Sequence, residues 1–177
     1  MKKKMVRYLG SALCASGLLV AGSASAHSFF FNYGHTPVYA EFDGDVEASL
    51  SANTFEFGTY ITDGMRAGLY HEQFTGDETA NIQGISIEYE AMATGDLMTN
   101  LGIMIGSGRV DDGVTSATSF IGDVYGRVAL MANESTNINA KLGFRTAPDS
   151  DFADGVGGGG ASDLHGMFLN VGFGIHF

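Results

Sequence analysis

Residues Leu164 to Phe177 read LHGMFLNVGFGIHF, and the period of this stretch decides the fold. From Met167 onward every odd position is apolar: Met167, Leu169, Val171, Phe173, Ile175 and Phe177. The even positions are Phe168, Asn170, Gly172, Gly174 and His176, small or polar apart from one aromatic. A period of two places the two sets on opposite faces of a β-strand. The stretch stops on an aromatic side chain of its apolar face.

The same alternation runs back through the chain. Val38 to Leu50 reads as one long first strand, with Val38, Ala40, Phe42, Val46, Ala48 and Leu50 against Tyr39, Glu41, Asp43, Asp45 and Glu47. The aromatic-rich segment before it, residues 27–36 (HSFFFNYGHT), either extends this strand or lies along an interface. Beyond Leu50 the phase changes, because Phe55, Phe57, Thr59 and Ile61 are odd. A shift of one residue moves every side chain to the other face, so Ser51-Ala52-Asn53 is read as the turn. Asp43-Gly44-Asp45 has good turn chemistry and is the competing place for it.

Tight turns follow at Thr62-Asp63-Gly64, Thr94-Gly95-Asp96 and residues 133–136 (NEST). Between them lie polar segments at residues 75–81 and 109–118, and the longest, residues 147–163. These divide the chain into eight strands. Where strands carry charge, it falls opposite the apolar stripe: Glu56, Arg66, Glu72, Glu88, Glu90, Asp123, Arg127, Lys141 and Arg145. A soluble β-sandwich would show the same alternation, with the apolar stripe as its core. A barrel in a bilayer would turn that stripe outward and pack the charges inside.

Composition separates the two. Residues 1–26 carry a basic start (Lys2, Lys3, Lys4, Arg7), a short apolar core and Ala24-Ser25-Ala26, the pattern of a cleaved secretory signal. Residues 27–177 would then be the mature domain, free of cysteine, since Cys14 leaves with the signal. Four of nine basic residues leave and none of the 20 acidic ones, so the net charge moves from −11 to −15. Nucleic acid is an unsuitable partner for so acidic a chain. No mature run of ~18 apolar residues is present, but barrel strands span with ~9–11 residues, half of them apolar.

The terminal strand and the eight-strand count resemble the small bacterial outer-membrane barrels of the OmpA-domain, OmpX and opacity-protein kind. The resemblance implies an all-β, eight-stranded, antiparallel up-and-down transmembrane barrel in the outer membrane. It also implies a lumen filled by side chains, with a structural or surface-interaction role and a monomeric state. The partners it implies are outer-membrane lipid, lipopolysaccharide and the assembly machinery, which would recognise Val171, Phe173, Ile175 and Phe177. Eight strands enclose a space wide enough only for side chains. Buried charges there must be paired, and Tyr39, Tyr60, Tyr70 and Tyr125 can join the charged set. In this register acid outnumbers base inside, so some acids must reach the rim or the first strand is misplaced.

Other chemistry finds thin support. Some barrels of this size modify lipid A with a His-x-Ser pair, but His71 and His165 are followed two places on by Gln73 and Met167. A histidine at headgroup level could still act as a general base, which keeps a lipid-modifying enzyme as an alternative. A narrow pore is the other alternative. His27, His35 and His176 lack ligand spacing for a metal. In residues 149–163 the third acid comes one place late for a calcium loop, so no metal or cofactor is expected.

Overall fold

The computed structural model describes residues 29–41, 46–47, 51–75, 79–111, 116–147 and 165–177. The signal segment, the Asp43-Gly44-Asp45 turn and the acidic stretch 148–163 lie outside the described residues. Nine strands follow in order: β1 (Phe29–Glu41), β2 (Val46–Glu47), β3 (Ser51–Thr62), β4 (Met65–Thr75), β5 (Thr79–Thr94), β6 (Leu97–Asp111), β7 (Ser116–Asn133), β8 (Thr136–Thr146) and β9 (Gly166–His176). Each pairs antiparallel with its neighbours, and β1 also pairs with β9, which closes the sheet into a barrel. β2 is a two-residue stub on β1, so eight strands form the wall. A sandwich has no such closure.

The register gives the stagger. Partners followed once round the barrel run Phe30, Gly58, Gly68, Ser86, Met104, Asp123, Arg145, Gly166 and back to β1 at Glu41. Discounting one bulge residue, the return is offset by about ten residues, and such a stagger tilts the strands ~35–45° from the axis.

The short turns join β3 to β4, β5 to β6 and β7 to β8 at one end. Gly95 holds a φ of 58°, the left-handed region that favours glycine. Asn133 Oδ1 accepts a bond of 2.9 Å from the Ser135 amide, which closes the third turn. β1 and β9 meet at the same end, where Phe29 and Phe177 exchange backbone bonds of 2.9 and 3.0 Å.

The first hairpin departs from the sequence-based expectation. β1 pairs antiparallel with β2, Ala40 with Val46, and Ser51-Ala52-Asn53 lies inside β3. The cue was the phase change, and a bulge supplies one earlier. The register slips between His35 and Val38, around Pro37, so the buried side chains of β1 change from Phe30, Asn32 and Thr36 to Tyr39. Proline has no amide to give a ladder and settles at such breaks. The aromatic segment from Phe29 therefore belongs to β1. The polar segments at 75–81 and 109–118 are also shorter than expected, because β4 runs to Thr75, β5 starts at Thr79, β6 runs to Asp111 and β7 starts at Ser116.

Candidate functional site: a charged lumen beneath an apolar plug

Alternation turns Leu101, Ile103, Val124, Ile138, Leu142 and Val171 outward, all exposed, and the charged set inward. Among the described residues eight ionic side chains are buried, four acids and four bases: Glu56, Glu72, Glu88 and Asp123 against Arg66, Arg127, Lys141 and Arg145. Of the acids placed inside from sequence, Glu90 is not among them. Glu90 is half-buried at the short-turn mouth, beside a register shift between Glu90 and Met92, and enters none of the ion pairs among the described residues.

Two clusters form. Nearer the short turns, Arg127 Nη2 lies 2.6 Å from Glu56 Oε2 and 2.7 Å from Glu88 Oε1. Arg66 reaches Glu88 Oε2 through Nε at 2.9 Å and Nη2 at 2.5 Å. Glu88 also accepts from Tyr125 Oη at 2.9 Å, and Glu56 accepts from Asn32 Nδ2 at 2.9 Å and from Ser86. Higher up, Arg145 forks onto two carboxylates. Its Nε and Nη2 each lie 2.8 Å from Asp123, and its Nη1 and Nη2 lie 3.2 and 2.7 Å from Glu72. Tyr70 donates to Glu72 Oε2 at 2.7 Å, and Tyr39 donates to Glu72 Oε1. Paired bidentate contacts hold the guanidinium plane as well as its charge. Between the clusters Lys141 Nζ sits 4.5 Å from the Tyr125 ring centre and 5.0 Å from that of Tyr70.

At the short-turn mouth Tyr60 Oη bonds His176 Nδ1 at 2.5 Å, and Asn137 Nδ2 bonds His176 Nε2 at 2.6 Å. The end of β9 is thereby tied to the lumen floor. This role for Tyr60 and His176 had no sequence signal, since it depends on β3, β8 and β9 meeting round the ring.

Above the charges the lumen changes character. The inward order along β4 from its turn is Arg66, Gly68, Tyr70, Glu72, Phe74. On β7 it is Arg127, Tyr125, Asp123, Ile121, and on β8 it is Lys141, Gly143, Arg145, Ala147. Phe74, Ala80, Ile82, Val110, Ile121 and Ala147 are all buried in one apolar cluster across the long-loop end. From β3 to β6 the outward side chains of the same stretches are polar: Asn53, Gln73, Asn81, Gln83, Ser107 and Arg109. On that side the wall is thus apolar-out and ionic-in below, polar-out and apolar-in above, while Phe120, Leu169 and Met167 stay apolar-out on β7 and β9.

His71 faces outward and half-buried against the Phe55 ring, and His165 meets Phe144. Among the described residues no group of three or more His, Cys, Asp or Glu is placed to hold a metal ion.

No family model matches this chain, and no curated protein matches it. Solved structures do. The N-terminal β-barrel domain of Pseudomonas aeruginosa OprF superposes with a TM-score of 0.61 at 11% identity, over 85% of this chain and 98% of that one. Neisserial surface protein A superposes with a TM-score of 0.60 at 13% identity, over 88% of this chain and all of that one (100%). The fold is that of the small eight-stranded outer-membrane barrels.

Proposed function

We propose that this chain is an integral barrel of the bacterial outer membrane with a structural and surface-displaying role and a closed lumen. The observation that carries this is the pairing of an apolar outer belt with a lumen of four acids and four bases. Leu101, Val124 and Ile138 are 58%, 56% and 66% exposed on a face that runs round the barrel. An apolar surface of that extent far exceeds the few hundred Å² that soluble monomers tolerate. Inside, three arginines pair with four carboxylates and Lys141 lies over two tyrosine rings, the complement of that belt.

The lumen favours a wall over a pore. Buried side chains fill it, and the apolar cluster of Phe74, Ile82 and Ile121 blocks water at the long-loop end. Insertion would depend on the assembly machinery reading Val171, Phe173, Ile175 and Phe177, which lie exposed along one face of β9 and its terminus. Lipid and lipopolysaccharide would then surround the belt, and the protein would act as a monomer. The test is reconstitution into liposomes and planar bilayers. The expected result is a heat-modifiable band on gels, with no steady conductance. A protein that stays monomeric in buffer without detergent would overturn the membrane assignment, and a stable open current would overturn the closed lumen.

A further inference from the structure

The apolar belt is not the same height all round. On β9 the outward apolar positions run from Phe177 to Met167, eleven residues, and on β7 from Leu130 to Phe120. At ~3.3 Å per residue and a tilt of ~40°, each residue adds about 2.5 Å of height, so these walls give about 27 Å. That matches the ~25 Å band of such barrels. On β4 the outward apolar run is Met65, Ala67, Leu69, and then His71 and Gln73 follow. Five residues give only about 12 Å.

The neighbours of β4 break off at nearly the same level. One cross-strand row reads Phe55, His71, Gln83, and the row above it reads His35, Asn53, Gln73, Asn81. Apolar Leu169 and Met167 stand at that height on β9. Directly at the break sit Tyr33 and Phe55, whose ring centres are 5.3 Å apart, with His71 against Phe55 at 6.2 Å. Aromatics at such a boundary mark the level of a membrane–water interface. The polar groups above them are only partly satisfied. Asn53 Oδ1 takes bonds of 3.1 Å from Tyr33 Oη and from His35 Nδ1 in its Nδ1–H tautomer, which leaves Asn53 Nδ2 to point elsewhere. His71 and Gln83 bond to no protein side chain among the described residues. Polar groups facing hydrocarbon without partners carry a large desolvation cost.

We propose that the wall of β3, β4 and β5 carries a half-height notch, into which outer-leaflet lipid headgroups descend to hydrogen bond with Asn53, His71, Gln73 and Gln83. The bilayer is thinned on this side and of ordinary thickness on the β7–β9 side. The donors and acceptors are side-chain amides and an imidazole, which suit the phosphate-ester and carbonyl oxygens of a lipid headgroup region. This inference rests on the membrane assignment proposed above.

The chain contains no tryptophan, so single-tryptophan variants report their own depth. His71→Trp and Leu169→Trp place an indole at similar heights, six residues beyond Met65 and eight before Phe177. Each variant is folded into phosphatidylcholine vesicles brominated either mid-chain or near the headgroup, with folding checked by heat-modifiable mobility. The notch predicts that mid-chain bromine quenches the His71→Trp variant at least about twofold less than the Leu169→Trp variant, since the hydrocarbon edge lies about 10 Å lower on the β4 side. It also predicts red-shifted emission from the indole at position 71. Equal mid-chain quenching of the two variants would overturn the notch and leave the membrane assignment standing. Absence of quenching in both would overturn the membrane assignment itself. Should His71→Trp fail to fold, Gln83→Trp is read against Leu169→Trp by the same criterion.

Discussion

Arg145 is the keystone of the upper ionic cluster, and replacing it by methionine gives a worked test. Its side chain is 1% exposed, between Glu72 (1%) and Asp123 (2%), with contacts of 2.7 and 2.8 Å. The methionine fills similar volume but leaves two buried carboxylates facing each other. The remaining cation nearby, Lys141, is held over Tyr70 and Tyr125. Breaking a buried pair from one side costs ~3–5 kcal/mol, because the abandoned charge keeps its desolvation penalty. With a urea dependence of ~2 kcal/mol per molar, the unfolding midpoint should fall by about 2 M. The assay is urea titration in phospholipid vesicles, with the folded fraction read from the unheated gel band. The triple variant Arg145→Met, Glu72→Gln, Asp123→Asn removes the abandoned charges and should recover much of the loss, so the three effects are far from additive. A single variant within about 1 kcal/mol of wild type, or a triple variant no better than the single one, would refute the account of Arg145 as a buried charge clamp.

Further outcomes follow from the geometry. Gly143→Ala should cost ~1–3 kcal/mol in the same titration, since a Cβ there would lie 2.6 Å from Phe168 Cζ and 2.7 Å from Tyr125 Cβ. Ile103→Arg, in the middle of the lipid-facing belt, should cost ~2–4 kcal/mol, whereas Gln83→Arg at the upper boundary should cost no more than about 1 kcal/mol. Fractionated cells expressing Phe177→Ser should hold less heat-modifiable barrel in their outer membrane. The purified variant should still refold in detergent, because the Phe29–Phe177 backbone pair survives the substitution.

How far the sequence could be read depends on what each cue measured. In β4 through β9 the alternation assigned faces well: Arg66, Glu88, Asp123, Arg127, Lys141 and Arg145 are buried, and Ile85, Leu101, Val128 and Phe173 are exposed. The first hairpin went astray because the even phase was read as a single strand running to Leu50: the bulge around Pro37 starts that phase at Val38, and Ser51-Ala52-Asn53, taken for the turn that ends it, lies inside β3. The upper strands were taken for loops because their outward residues are polar. Thr79-Ala80-Asn81-Ile82-Gln83 still alternates, with Ala80 and Ile82 buried, but with the polarity of the two faces exchanged. The period was present there all along; the sign of the apolar face was not what a membrane strand shows.

The sequence by itself determined the class: strands of period two, eight of them, with ionic residues opposite the apolar stripe. That much is local, because it depends on which side of one strand a residue falls. The tertiary structure alone decided which acid meets which base, where the apolar plug begins and how low the belt stops on β4. Those depend on stagger. A closed ring offset by about ten residues sets Glu72 of β4 beside Arg145 of β8, 73 residues away in sequence, and no periodicity within either strand encodes that height.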